Sequence, residues 1–200
     1  MAPPGSHPAV FVDRDGVICE NRPDHVKSWA EFAFIPGSVE ALASFTRAGV
    51  PVFVTTNQAA VGRGVISRHQ LDVIHDRMLS VIRGSGAKVQ DILICTHHPD
   101  DRCSCRKPEP GLLLDAASAH DIDLAHSFMI GDSGSDVIAG ARAGCSTVLV
   151  RTGRGRDTIR DRSWGEHKPD FVADDLVDAT IWILGRKAMD YGAHSEVPST

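Results

Sequence analysis

The 200-residue sequence contains no apolar run approaching the roughly 20 residues that cross a bilayer, which excludes a helical membrane span. Basic charge is not in excess: Lys and Arg total 21 against 26 Asp and Glu, a net charge of −5. Aromatic residues make up only 6%, and no stretch interleaves them with basic residues. Both shortages speak against a protein that grips nucleic acid, which needs a basic footprint and stacking platforms. Residues Met1 to His7 lack the basic and apolar regions of a secretion signal, so a cytoplasmic protein is expected; separately, a monomer is expected. There are no internal repeats. What remains is a chain of ordinary globular composition, long enough for a sizeable core, with 42% apolar residues. Five cysteines in a reducing compartment are expected to be thiols or metal ligands rather than disulfides.

Apolar runs alternate with helix-like periodic segments. Ala9–Val12, Pro51–Thr55, Asp91–Cys95, Ser127–Ile130 and Thr147–Val150 read as strands, with a short sixth at Phe171–Ala173. Between them, Gly37–Ala48, the segment from an N-cap at Ser67 to Gly84, Gly111–His120, Ser133–Ala143 and Leu176–Leu184 carry helical spacing. Ser67 and Gln70 have the spacing of a capping box. The alternation predicts an α/β fold, a Rossmann-like parallel sheet with helices on both faces. One domain over residues 1–189 is expected, followed by a disordered tail over 190–200. The polar, glycine-containing stretch Arg151–Lys168, with six basic residues, reads as a loop. In such sheets ligands bind beyond the carboxyl ends of the strands.

Four groups of residues stand at those ends. Asp13-Arg14-Asp15-Gly16 places two carboxylates at i and i+2, a pair that calls for a neighbouring positive charge such as Mg²⁺. Thr55-Thr56-Asn57-Gln58 offers a hydroxyl and backbone N–H groups that can hold phosphoryl oxygens. Arg106-Lys107 offers a forked and a point cation. Gly131-Asp132-Ser133-Gly134-Ser135-Asp136 adds a carboxylate at a strand end, and a second one turn into the next helix. Taken singly, each also reads as a turn, a solvated basic pair or a helix cap.

Three of the five cysteines fall within eleven residues. Cys95-x-His97 and Cys103-x-Cys105 supply four soft or borderline ligands, enough for a closed tetrahedral zinc site in a loop over residues 95–108. Such a zinc is structural, and it would order a loop that has no core of its own. His98 rivals His97; a role outside the four ligands suits it better. Cys19 and Cys145 read as bystanders in or near the core.

Taken together, the Asp-x-Asp-Gly-Val, Thr-Asn, Lys-Pro and Gly-Asp-x-x-x-Asp elements resemble the haloacid dehalogenase superfamily of phosphohydrolases, over about Ala9 to Val150. The resemblance implies Asp13 as nucleophile, Asp15 as general acid and then base, Thr56 as a phosphoryl ligand and Lys107 as the neutralising cation. It further implies Mg²⁺ held by Asp13, the backbone carbonyl of Asp15 and Asp132, with Asp136 in support. With the zinc quartet added, the pattern is similar to the heptose 1,7-bisphosphate 7-phosphatases, with histidinol-phosphate phosphatases close behind. That narrower resemblance implies a small phosphorylated sugar as substrate. It implies contacts from Glu20, Asn21, His25, Asn57, Arg63 and Arg106, with Arg63 on a distal phosphate. Only a loop and one helix fit between Asp15 and Thr56, so a small or absent cap is expected. Two departures stand out: Ala59-Ala60 follows Thr-Asn-Gln where the family often has a small residue and Gly, and Ser133 occupies a position that is often Lys. A non-catalytic, zinc-stabilised phospho-ligand binder is the alternative from another class. A carboxylate pair facing phosphate counts against it, because bare carboxylates repel that ligand.

Overall fold

The computed structural model describes residues 6–192. Six strands form one all-parallel sheet in the order β3-β2-β1-β4-β5-β6. They are β1 (Val10–Asp13), β2 (Val52–Asn57), β3 (Asp91–Cys95), β4 (Phe128–Gly131), β5 (Ser146–Val150) and β6 (Phe171–Ala173). Seven helices accompany them: α1 (Ser38–Arg47), α2 (Ala59–Gly62), α3 (Arg68–Gly84), α4 (Gly111–His120), α5 (Gly134–Ala143), α6 (Gly155–Asp161) and α7 (Leu176–Gly192). The strands are near-continuous apolar runs because both faces of the sheet are covered. Val10, Val12, Val52, Val54, Ile130 and Val148 point into one core, with Leu42 and Phe45 of α1, Ile74 and Met78 of α3 and Ile183 of α7. The alternate residues Phe11, Phe53 and Met129 point into the other, against Leu112, Leu113 and Ala116 of α4. Cys19 lies in the first core and Cys145 in the second, where burial pushes its thiol up to about 12.

The capping box at α3 is present: Ser67 Oγ accepts from the Gln70 backbone N–H at 3.1 Å, and Gln70 Oε1 accepts from the Ser67 N–H at 2.8 Å. Two expectations need correction. The basic stretch from Arg151 is not all loop, for it contains α6, whose Thr158 hydroxyl donates to the Asp132 carbonyl at 3.0 Å. Helix α7 runs on through Asp190 to Gly192, so the expected tail does not begin at 190; residues 193–200 lie outside the described residues. No helix among the described residues is long and apolar enough to cross a membrane.

Strand order reverses at β1: the chain steps from β1 to β2 and β3 on one side, and β4 then pairs with the other edge of β1. The crevice beyond the carboxyl ends of β1 and β4 is where such sheets bind ligands. Among the described residues no separate domain covers it. Residues 14–37, between β1 and α1, form a short irregular segment pinned by isolated bridges Asp15–Cys19 and Cys19–Phe34. Within it, Trp29 stacks on Phe32 at 5.0 Å, and Phe34 meets Phe32 edge-on at 5.0 Å.

Candidate active site

A cleft of about 290 Å³ opens at that reversal point. Asp13, Asp15, Thr56, Asn57, Arg106, Lys107 and Asp132 all line it, as do Asn21 and His25 from the irregular segment. His25 reaches it with a backbone in the left-handed region, φ 65°. Glu20 and Arg63 do not line it. Glu20 is exposed, and so is Arg63, which follows the short helix α2. Their expected substrate contacts are therefore not supported by the geometry. Gln58, Ser133 and Ser135, which stand within the strand-end motifs but to which the sequence assigns no role, also line the cleft, as do Arg22 and Arg154, which lie in none of those motifs.

Lys107 is the electrostatic hub. Its ammonium, 4% exposed, donates to Asp13 Oδ1 at 2.8 Å and to the Thr55 carbonyl at 2.9 Å, and pairs with Asp136 Oδ1 at 2.6 Å. Two of its N–H groups are thus hydrogen-bonded, and the contact with Asp136 is an ion pair. Burial by itself would lower the Lys107 pKa, but the two carboxylates outweigh it and hold the group charged. Its backbone is fixed as well: the Asn57 side chain donates to the Lys107 carbonyl at 3.0 Å and accepts from its N–H at 3.1 Å. Arg106, beside it, buries an Nη1 that has no hydrogen-bond partner among the described residues.

The two aspartates of the β1 end live in different surroundings. Burial pushes the Asp13 carboxyl well up, and Asp136 and Asp132 push it the same way against the pull of Lys107. Asp13 Oδ2 has no hydrogen bond among the described residues. Burial also raises Asp15, but the Arg14 guanidinium outweighs it. Arg14 grips both Asp15 oxygens, at 2.8 and 3.1 Å, and the Gln58 amide donates to Oδ2 at 2.8 Å, so the carboxyl is held low. Thr56 is fully buried, with its hydroxyl taking the Gln58 amide at 2.7 Å.

Asp13, Asp132 and Asp136 each bring a carboxylate oxygen within 4.8 Å of the others. Asp132 is driven up to about 7, first by burial and then by Asp136. Three carboxylates against one ammonium leave an excess of negative charge on hard oxygen donors, which fits a divalent hard cation. Asp136 has spent its oxygens on Lys107 and on the Ser133 backbone N–H and hydroxyl, leaving Asp13 and Asp132 the freer donors. The segment after β5 closes round Asp132, whose Oδ2 accepts from the Arg154 N–H at 2.7 Å. Thr152 ties the same segment to the Gly16 carbonyl at 2.7 Å. Gly16, at φ +89°, cannot carry a side chain, because a Cβ there would strike Asp132 Oδ2.

Beside the cleft, Cys95, His97, Cys103 and Cys105 converge, all four ligand atoms within 4.8 Å. The sulfurs of Cys95 and Cys103 are 3.6 Å apart, those of Cys103 and Cys105 3.5 Å, and His97 Nδ1 is 3.2 Å from Cys105 Sγ. A tetrahedron with metal–sulfur bonds of about 2.3 Å has sulfur–sulfur edges near 3.8 Å, so the donor set and its size suit a tetrahedral metal. His98 stands apart, accepting from the Asp100 N–H and capping the turn Pro99–Asp101.

Residues 104–179 match the HAD-hydrolase-like family model. Across 181 residues the chain is 38% identical to the D-glycero-beta-D-manno-heptose-1,7-bisphosphate 7-phosphatase of Pseudomonas aeruginosa, covering 90% of this chain and 99% of that one. It is 43% identical to the enzyme of the same name from Bordetella bronchiseptica over 150 residues, 75% of this chain and 84% of the relative. The crystal structure of D,D-heptose 1,7-bisphosphate phosphatase from B. bronchiseptica, complexed with magnesium and phosphate, superposes with a TM-score of 0.85. It shares 38% identity over 90% of this chain and 99% of that one.

Proposed function

Because the chain belongs to the D-glycero-beta-D-manno-heptose-1,7-bisphosphate 7-phosphatase family of HAD-like hydrolases, we propose that it hydrolyses the 7-phosphate of that sugar bisphosphate through an aspartyl-phosphate. The observation that carries the residue roles is the contrast between the two aspartates. Asp13 has one oxygen neutralised by Lys107 and the other free to attack phosphorus. Asp15 is gripped from the side by Arg14. In the first half-reaction Asp13 Oδ2 bonds to phosphorus as the ester P–O bond breaks, and Asp15 delivers a proton to the leaving alkoxide. Arg14 holds Asp15 low in the free protein; an arriving phosphate dianion acts in the opposite sense and favours the protonated acid. In the second half Asp15 takes a proton from the attacking water, which releases phosphate and frees Asp13. Thr56 and the backbone around it orient the phosphoryl oxygens, Lys107 keeps Asp13 from repelling them, and the unpaired N–H of Arg106 is available to a substrate oxyanion. Mg²⁺, on Asp13, Asp132 and the Asp15 carbonyl, would offset phosphoryl charge during transfer.

A cleft lined by polar side chains, with no covering domain among the described residues, suits a small phosphorylated metabolite. Histidinol phosphate carries a single phosphate and would bring no second anion to Arg154 in the cleft lining, while Arg22 already pairs with Asp24 and Glu31. The expected result is a kcat/KM for the heptose bisphosphate at least about tenfold above that for histidinol phosphate, measured as phosphate release with Mg²⁺. A ratio near or below one would overturn the substrate assignment while leaving the reaction class intact.

We assign the Cys95, His97, Cys103, Cys105 cluster to a structural Zn²⁺. Cys105 lies two residues before Lys107, so ordering the loop also sets the catalytic cation. Cys103→Ser is expected to lower zinc content from about one equivalent to a small fraction, and Tm by about 10 °C, with kcat falling as Lys107 loosens. Zinc by atomic emission and Tm by calorimetry check this; an unchanged zinc content and Tm would remove the site.

A further inference from the structure

Arg14 sits between the two aspartates and is 1% exposed. A buried guanidinium brings five N–H donors that need partners. Nε donates to Asp15 Oδ2 at 3.1 Å and Nη2 to Asp15 Oδ1 at 2.8 Å. On the far edge, Nη1 lies 2.9 Å from Nε2 of His75, which comes from α3. A guanidinium has no acceptor, so Nη1 donates and the ring nitrogen accepts. His75 is therefore a neutral imidazole with its proton on Nδ1. Burial and then the charge of Arg14 push it the same way, down to about 3. His75 is 4% exposed and stands among Leu71, Ile74 and Met78 on the apolar face of α3, where a leucine would pack without a polar atom to satisfy. Its hydrogen bond to Arg14 is what the position offers that a leucine could not.

We infer that His75 is a positioning residue for the hydrolysis: by accepting from Nη1 it fixes the rotation of the Arg14 guanidinium, whose opposite edge holds both oxygens of Asp15 and aims that carboxyl at the leaving oxygen. Without the ring nitrogen, one buried N–H of Arg14 has no partner. The guanidinium then turns to find one, and the two-point grip on Asp15 is lost. The inference rests on Asp15 being the general acid.

The test exploits the leaving group. An alkoxide from a sugar needs a proton as it departs, whereas a nitrophenolate leaves without one. The ratio kcat/KM counts only steps up to loss of the alcohol, so the later base step does not enter. His75→Leu is expected to lower kcat/KM on the heptose bisphosphate by about 10- to 100-fold, and on para-nitrophenyl phosphate by less than about threefold. His75→Gln, whose amide oxygen can accept from Nη1, is expected to stay within about threefold of wild type on both. If the Leu variant does not fold, His75→Met takes its place. Equal losses on both esters in the Leu or Met variant, or a Gln variant as impaired as these, would overturn the inference. Asp15→Asn is measured in parallel. If it shows the leaving-group dependence and His75→Leu does not, only the His75 inference falls. If Asp15→Asn shows none, the acid assignment falls and takes the inference with it.

Discussion

Asp13→Asn is expected to cut phosphate release from the sugar bisphosphate by roughly 10⁴- to 10⁶-fold, the scale seen when a covalent nucleophile is removed from a unit of cooperating groups. The amide is nearly isosteric and can still accept from Lys107 through its oxygen, so the fold has no reason to change. It cannot attack phosphorus, and the neighbouring carboxylates have partners of their own: Asp136 is engaged by Lys107 and Ser133, Asp15 by Arg14 and Gln58, and Asp132 by the Arg154 N–H. The same change should raise Tm in metal-free protein, because burial and the neighbouring Asp136 and Asp132 make the Asp13 charge unfavourable in the folded state. Opposite movements of activity and stability mark a group kept for chemistry rather than for the fold. Activity within tenfold of wild type would sink the nucleophile assignment.

Lys107→Met is expected to be the most damaging change to both properties. It removes the cation that faces Asp13 and leaves buried carboxylates unopposed, a loss of about 3–5 kcal/mol by analogy with broken buried ion pairs. The loss should depend on pH. Unfolded carboxyls titrate near 4, whereas folded Asp132 already titrates near 7 and Asp13 well above its ordinary value with Lys107 present. Removing the ammonium raises them further. The folded state then holds protons the unfolded state has lost, so stability falls as pH rises through this window. Denaturation midpoints at pH 5 and pH 8 should therefore show the larger deficit at pH 8. A deficit of equal size at both would argue that Lys107 acts through packing rather than charge.

The strands and the residues at their ends were legible in the sequence because a parallel sheet buried on both faces needs apolar runs. A residue at the carboxyl end of such a run is held at a known place: Asp13, Thr56 and Asp132 all lie where that rule puts them, and Lys107 reaches the same crevice from the loop beyond β3. Helix α6 was hidden because its seven residues, GRDTIRD, have no apolar stripe. It is held by the Thr158 bond to Asp132 rather than by periodicity. Glu20 and Arg63 lie outside the cleft lining, and spacing alone could not say so, because it gives distance along the chain and not direction: α2 turns the chain just before Arg63, and no periodicity orients the irregular segment after Cys19. His75 carried a faint signal, a lone polar residue four positions after Leu71 on an apolar face, yet nothing local says what it meets. Its partner is 61 residues away in sequence.

The way Lys107 is anchored has an evolutionary consequence. Its backbone is clamped by Asn57 at the end of β2, and the loop leading to it is gathered at Cys95 and His97 on one side and at Cys103 and Cys105 on the other. Between these fixtures the His98 backbone lies close against Gly62 of α2, whereas Asp100, Asp101 and Arg102 are exposed. They can lengthen, shorten or change composition without moving the ammonium. The exposed arc is therefore the part of this loop most open to change of sequence, because the position of Lys107 does not depend on it.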